Sequence, residues 1–426
     1  MTDTKSRKYD AVIFGATGFT GQYIATEWAR TAKKDLRWAI AGRSLSKLEA
    51  VQSQVRATTA YEKDIPIIVA DVFNESAMRS MCASTRLLIN CTGPFRLFGE
   101  PVVQACVAEG THYVDITGEP QFIETMILRY NEDAITSGSL IVHSCGFDSI
   151  PSDMGVVYTS KQFPNNGVCS SIETFISLQG NSGHATTYEC IVLGLASAKS
   201  LKTLRSTSRV EIPYVGPKLK VHSVGFDKRM NKYYIKFLGS DASVVRLTQK
   251  HLVLAKSPVQ PVQFSVYVTF ESILRFIPIF FGALFLLTFG YFEWGRNLLI
   301  KYPAIFTFGW FSHEGPSQEE IENSGFSHQF FAKGYKDKNN TEGNPDWEVV
   351  AKVQGPEPGY LATSSMIVNC AYVILDGEVK ERGVMTPGAA FRSTSLIDRL
   401  QNRGIHFTVS TNQSIEEQST KQDDSN

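Results

Sequence analysis

The run Tyr9-Asp10-Ala11-Val12-Ile13-Phe14 passes directly into Gly15-Ala16-Thr17-Gly18-Phe19-Thr20-Gly21, placing three glycines at steps of three behind an apolar strand. No other stretch limits the fold as strongly. A strand, this glycine spacing and then an amphipathic run from Thr20 form the pattern of a turn that cradles a diphosphate. Each glycine has its own use: Gly15 permits the tight turn, Gly18 lets backbone N–H groups approach the anion, and Gly21 lets helix pack on strand. Thr17 and Thr20 add hydroxyl donors, and the Phe19 amide belongs to the same cradle.

The context supports the turn. Short apolar strands at 9–14, 36–41, 65–70, 86–91, 112–117 and 140–145 alternate with helical patterns that start at Thr20 or cover 45–55, 75–83, 102–109 and 119–136. Strands joined by helical crossovers imply an α/β fold with a Rossmann-type, doubly wound parallel sheet. Residues 1–150 are expected to form this NAD(P)-binding domain. Beyond Pro151 the order changes to a helix near 153–161, an alternating strand at 170–179, a helix at 185–198 and further strands, which predicts a second, α+β domain over 151–385 with an antiparallel sheet. Residues 386–412 are expected to pack back on the core, and the polar stretch 413–426 to form a disordered tail.

The nicotinamide cofactor is chosen at the end of the second strand, where an acidic residue would bind the ribose of NAD. Arg43 stands there, followed by Ser44 and one turn later by Lys47. A guanidinium suits a 2′-phosphate, so NADP is expected, with NAD possible. Asp71 and Val72 after the third strand would border the adenine, while Cys91, Gly93 and Pro94 after the fourth would lie beside the nicotinamide ribose.

Catalytic chemistry is less legible. Tyr214 and Lys218 have the spacing of a reductase Tyr/Lys pair, but Gly216-Pro217 between them forbids a regular helix. No HExxH or GxSxG motif and no metal-ligand spacing is present. What remains is a pair of polar loops at the sheet edge, DITGEP (115–120) and HSCGFDSIPSD (143–153). Asp115, Glu119, Asp148, Ser149 and Asp153 are the candidates for orienting a substrate or moving a proton; turn, capping and packing roles fit the same residues, and Cys145 fits a packed thiol.

Residues 276–292, FIPIFFGALFLLTFGYF, are 17 uncharged positions with six Phe. As a helix they span about 25 Å, short of the roughly 30 Å hydrocarbon slab. A second apolar block follows at 302–311. Two short arms around a polar bend predict a hairpin within 273–312 that enters one leaflet or a lipid monolayer, against the alternatives of a buried helix pair or a homodimer interface. Lys plus Arg equals Asp plus Glu at 42 each, so no net charge favours nucleic acid, and any membrane contact must be apolar. Seven scattered cysteines without a CxxC pair, and an N-terminus with no apolar signal stretch, are expected of domains facing the cytosol.

The ordered motifs VIFGATGFTGQ, AGRS, NCTGPFRLFGEPVVQAC, DITGEPQF, GFDSIPSDMG, GPKLK, GSDASVVR, LLIKYP and TPGAAF resemble the saccharopine dehydrogenase-like oxidoreductases over nearly the whole chain. The resemblance implies a Rossmann domain joined to a substrate domain, a chain that returns to the first domain near its C-terminus, and association with lipid droplets and endoplasmic-reticulum membrane as in animal members. Bacterial relatives that look similar act in enoyl reduction on long lipid chains. True saccharopine reductases match less well, because Ala16-Thr17 replaces a glycine of their fingerprint and no cluster for the charged ends of saccharopine is evident. The sequence therefore predicts an NADP-dependent oxidoreductase acting on a hydrophobic carbonyl or enoyl compound at a lipid surface; the alternative is a catalytically silent lipid-droplet scaffold that keeps the nucleotide fold.

Overall fold

The first sheet forms because six short apolar strands are each followed by a helix that must cover one of its faces. In a computed structural model describing residues 7–180 and 182–414, the strands are β1 (Tyr9–Phe14), β2 (Trp38–Gly42), β3 (Ile67–Val69), β4 (Thr85–Asn90), β5 (His112–Asp115) and β6 (Leu140–Val142). The intervening helices are α1 (Phe19–Thr31), α2 (Leu45–Thr58), α3 (Glu75–Ser84), α4 (Phe95–Ala108) and α5 (Pro120–Ser137), with α6 (Ile150–Ser160) leading out of the domain. The order is β3-β2-β1-β4-β5-β6, all parallel, and it reverses between β1 and β4. Ligands of such sheets bind in the crevice at that reversal. Alternation along β1 divides the core: Ala11 and Ile13 pack with Trp28 and Leu48 on one face, Val12 and Phe14 with Met78 and Val102 on the other.

Two expectations are corrected here. α4 starts at Phe95 rather than near 102, because the Glu119 carboxylate accepts the N–H of Phe95 at 2.7 Å and anchors the helix start ahead of Pro101. The strand Gly383–Met385, placed by the sequence boundary in the second domain, pairs in parallel with β6 as the seventh strand of the first sheet. The wholly buried helix Thr363–Leu375 precedes it and packs with α1 over that sheet, so the chain has returned well before residue 386.

The second sheet runs His406–Ser414, Trp347–Pro356, Gly325–Tyr335, Val168–Gln179, Gln263–Phe270, Lys232–Lys236, Val224–Asp227. It is mixed rather than antiparallel: Gln263–Phe270 lies parallel to Val168–Gln179, since the chain crosses over between them through α7 (Ala185–Ala196), α8 (Ala198–Thr207) and α9 (Asp241–Leu254). Residues 386–412 do pack against the core, but their last strand, His406–Ser414, joins the second sheet rather than the first and extends into the stretch read as tail. The polar residues 1–6 and the remainder of that tail, 415–426, lie outside the described residues.

Candidate functional site

At the end of β1, Gly15 takes φ +83°, a conformation that favours glycine. A Cβ on Gly15 would lie 2.8 Å from Thr92 Cγ2, because the β4–α4 connection closes on the turn. The Gly18 N–H donates to the Gly15 carbonyl at 3.0 Å. A Cβ on Gly21 would lie 2.3 Å from that same oxygen, so α1 can sit this close only with glycine there. α1 has no side-chain cap and no acidic residue in its first turn. Its leading N–H groups, including those of Phe19, Thr20 and Gly21, thus point to the crevice with an anion as their natural partner.

Beside this turn, Thr17 Oγ1 lies 3.8 Å from where a Gly42 Cβ would be, so the ends of β1 and β2 meet. Arg43 is exposed there and has neither hydrogen bond nor ion pair among the described residues. Ser44 opens α2 without capping it, its hydroxyl lying 3.3 Å from that of Ser46. An unpaired guanidinium beside an uncapped helix start has the chemistry for a 2′-phosphate.

Past the end of β3, Val72 is buried in the core among residues such as Met78. Asp71 spends Oδ1 on the Phe73 N–H at 3.0 Å. The apolar surface exposed there is Phe73, which the sequence reading missed; it is 73% exposed and meets the Phe98 ring edge-on. Cys91 donates its backbone N–H to Phe14, and burial raises its thiol pKa, so it packs the turn rather than reacting. Gly93 and Pro94 join through a cis peptide at the start of α4.

The acidic candidates separate by environment. Asp115 is fully buried and its carboxylate is consumed: it accepts from Tyr113 Oη (2.8 Å), the Thr117 N–H (3.1 Å) and the Ser144 N–H (2.9 Å), and lies 2.7 Å from His143 Nδ1. It ties the ends of β5 and β6 together. Glu119 is likewise buried, pairing with the Arg96 guanidinium while it holds the start of α4. The Ser149 hydroxyl donates to the carbonyl of Asp148, and Ser149 opens α6. Asp153 is buried behind the crevice, accepting from Thr248 Oγ1 (2.7 Å) and the Gly388 N–H (2.6 Å), with burial pushing its pKa up to about 6.

Asp153 Oδ1 is buried with no hydrogen-bond partner among the described residues, whereas of these acids Asp148 is the exposed one. It is solvent-accessible yet surrounded by protein, and this desolvation pushes its pKa up to about 6. Its Oδ2 lies over Gly118, where a Cβ would approach to 2.6 Å. The group therefore stands at the carboxyl edge of β5 and β6, poised between acid and base near neutral pH.

The opposite wall is α7. His184 caps it by accepting the Thr186 N–H, Thr186 faces the Gly93 turn, and the Cys190 thiol reaches Glu119 at 3.6 Å. Arg96 crosses to the Leu193 carbonyl at 2.5 Å. Phe19 turns its ring away from the phosphate cradle and stacks on His184 at 5.1 Å, with Tyr360 completing the cluster at 4.7 Å. No periodicity or motif marked His184, Thr186, Cys190 or Tyr360, because each is brought to the first domain by tertiary contact.

The far side of α7 carries the apolar segment. Tyr188 and Val192 pack with Leu299 of α11 (Glu293–Lys301) and with Phe285, Phe289 and Phe306. α10 (Phe276–Phe289) has no buried residue. Phe280 is 64%, Leu287 66% and Ile305 68% exposed, so the buried-helix-pair alternative does not hold.

The family model for the saccharopine dehydrogenase NADP binding domain matches residues 11–142. The saccharopine dehydrogenase-like oxidoreductase of Rattus norvegicus is 42% identical over 95% of this chain and 98% of its own. A protein of Caenorhabditis elegans named lipid droplet localized protein is 32% identical over 94% of this chain and 98% of its own. In fold, the chain is similar to apo saccharopine dehydrogenase (L-Glu forming) from Saccharomyces cerevisiae, with a TM-score of 0.55 and 12% identity over 95% of this chain and 100% of that one.

Proposed function

The chain belongs to the saccharopine dehydrogenase-like oxidoreductases, and on that premise we propose that it reduces a hydrophobic carbonyl or enoyl compound taken from a lipid surface. NADP is its cofactor class. Gly15, Thr17, Gly18, Phe19, Thr20 and Gly21 hold the diphosphate through backbone amides and hydroxyls, while Arg43 and Ser44 hold the 2′-phosphate. When bound, the dinucleotide supplies a hydride. Asp148 supplies the proton: at a pKa of about 6 it is substantially protonated just below neutral pH and can re-equilibrate with solvent. Asp115 and Glu119 keep the strand ends and α4 fixed so that the crevice holds its shape.

The observation that carries the lipid assignment is the double use of α7. One face of this helix closes the crevice through Thr186 and Cys190, and the other supports the exposed apolar helices 276–306. Burying about 25 cal/mol for each Å² of that apolar surface in acyl chains gives a docking energy of several kcal/mol without any anionic lipid. The name of the worm relative supports the lipid-droplet surface as the site of docking.

The test uses the full-length protein with NADPH and a cellular lipid extract presented on phosphatidylcholine-coated droplets. Lipid-dependent NADPH consumption, abolished with droplet binding by Phe280→Glu/Leu287→Glu, is expected. The absence of a usable Tyr/Lys pair favours the silent-scaffold reading, and droplet binding with no NADPH consumption would establish it. If the double variant still binds droplets, the docking assignment is wrong for both readings.

A further inference from the structure

Residues that the sequence scatters between 124 and 264 meet in two adjoining cavities between α5, α8 and α9. The larger, of about 240 Å³, is lined by Arg205, Tyr214, Ser243 and Arg246 among others. The smaller, of about 30 Å³, shares Arg205, Ser243 and Arg246 and adds Glu124, Arg209 and Lys250, which do not line the larger one. Four cations thus face one carboxylate. That carboxylate is already taken, since Arg205 donates to Glu124 Oε1 through Nε at 2.8 Å and Nη2 at 2.6 Å. Arg209 and Arg246 have no hydrogen bond or ion pair among the described residues, and both are exposed.

Such an arrangement costs stability on its own. Arg246 and Lys250 are like charges at i,i+4 on α9, a spacing that destabilises a helix. Burial, and to a smaller extent the Arg246 charge, lower the Lys250 pKa against the opposing charge of Glu124, and its ammonium donates to the Ser208 carbonyl at 2.7 Å. A bound anion removes that repulsion. The polar groups suit an oxyanion as well: Ser243 Oγ accepts from Arg205 Nη2 at 2.9 Å, which leaves its own proton to donate, and the Tyr214 hydroxyl lines the same space. The two spaces, about 240 Å³ beside Arg205 and Arg246 and about 30 Å³ where Arg209 and Lys250 join them, stay below the roughly 300 Å³ at which sites for drug-sized ligands begin, so they fit a headgroup-sized anion rather than a chain.

We propose that the pocket between α5, α8 and α9 is a binding site for a phosphate group, separate from the dinucleotide crevice, held by Arg205, Arg209, Arg246 and Lys250. Position gives it relevance to both neighbours. α9 begins beside Ser240, whose hydroxyl donates to the Asp148 carbonyl at 2.7 Å. α8 continues from α7, whose Leu195 touches the end of the apolar helix at Gly290. The phosphate is that of a lipid headgroup at the docked surface or of a soluble phosphate compound; the site chemistry is shared.

The experiment compares full-length wild type with Arg209→Gln/Arg246→Gln, which removes two exposed, unpartnered cations. Inorganic phosphate is titrated against chloride of matched ionic strength by thermal shift. Sedimentation is measured with phosphatidylcholine vesicles, with and without phosphatidic acid. Stabilisation by phosphate, or extra binding to phosphatidic acid vesicles, is expected, weakened roughly tenfold or more in the variant. A response in the phosphate arm alone assigns a soluble ligand, and one in the vesicle arm alone a headgroup. NADPH affinity is expected to be the same in both proteins, so the result stands apart from the dinucleotide assignment. No preference for phosphate over chloride together with none for phosphatidic acid overturns the site, as does a variant that retains either preference in full.

Discussion

Replacing Arg43 isolates the physical basis of cofactor choice. The side chain is exposed and makes no contact that folding depends on, so Arg43→Ala should change stability by no more than about 0.5 kcal/mol. In the proposed role it makes charge-assisted hydrogen bonds to the 2′-phosphate, worth about 1.5–3 kcal/mol in general. Solvent screening at an exposed position puts this pair toward the lower part of that range, about 1.5–2.5 kcal/mol. At 1.4 kcal/mol per tenfold, NADPH binding should weaken roughly 10- to 70-fold while NADH binding stays within about twofold. Arg43→Asp goes further, since its carboxylate repels the phosphate and can accept from a ribose diol, so it should reverse the preference. The assay is calorimetric titration of both dinucleotides over a salt series, in which NADPH affinity falls more steeply with salt than NADH affinity in wild type and equally in the variant. A ratio of NADPH to NADH affinity that is the same in wild type, Arg43→Ala and Arg43→Asp would refute the assignment of Arg43.

Gly21→Ala forces a Cβ to 2.3 Å from the Gly15 carbonyl oxygen, so it should cost about 1–3 kcal/mol of stability by overpacking and lower the melting temperature together with NADPH affinity. Gly18→Ala meets that oxygen only at 3.3 Å and faces solvent, so it should spare the melting temperature and weaken NADPH binding alone; equal loss of stability in both variants would contradict the separate uses of the two glycines. For Asp148, desolvation by the surrounding protein raises the folded pKa to about 6 from 3.8, so its protonated form is favoured in the folded state, and its contribution to stability is complete below pH 3.8 and fades as pH rises through 6. Reduction driven by this acid should fall tenfold per unit above about pH 6, and Asp148→Asn should lower kcat about 10²- to 10⁴-fold and flatten that limb; an unchanged profile in the variant would remove Asp148 as proton donor.

The first domain was legible because every signal in it is local. Strand, glycine turn and helix sit within a few residues of one another, and parallel strands buried on both faces read as plain apolar runs. The acidic candidates were named but could not be ranked, since what separates them is long-range. Asp115 is consumed by Tyr113, His143 and Ser144, whereas Asp148 lies over the bare backbone of Gly118. Likewise, Arg205 and Arg246, far apart along the chain, come to line one cavity only through the packing of α8 against α9. The strand Gly383–Met385 has three residues, too few for periodicity to declare which sheet it joins.

Two apolar helices show what hydropathy alone does not resolve. Thr363–Leu375 and Phe276–Phe289 differ by one residue in length, yet every residue of the first is buried and none of the second is. The segment Pro358–Leu375 is long and apolar enough to cross a membrane, but it is 83% buried inside the protein. The distinguishing chemistry is in the side chains. The buried helix has small or β-branched residues that fit closely between α1 and a sheet; of its polar groups, Thr363 Oγ1 bonds to Pro358 and Asn369 Nδ2 to Ser365, each at 2.7 Å, while the Ser364 and Ser365 hydroxyls are buried without a partner among the described residues. The exposed helix has Phe and Leu on most faces and directs its one polar group, Thr288, back to its own Leu284 carbonyl at 2.8 Å. A protein core must pack shapes closely, whereas an acyl phase asks only for apolar area and satisfied backbone. That difference, more than hydrophobicity, separates the exposed apolar segment 276–306 from the buried helix, and the proposed docking on lipid rests on it.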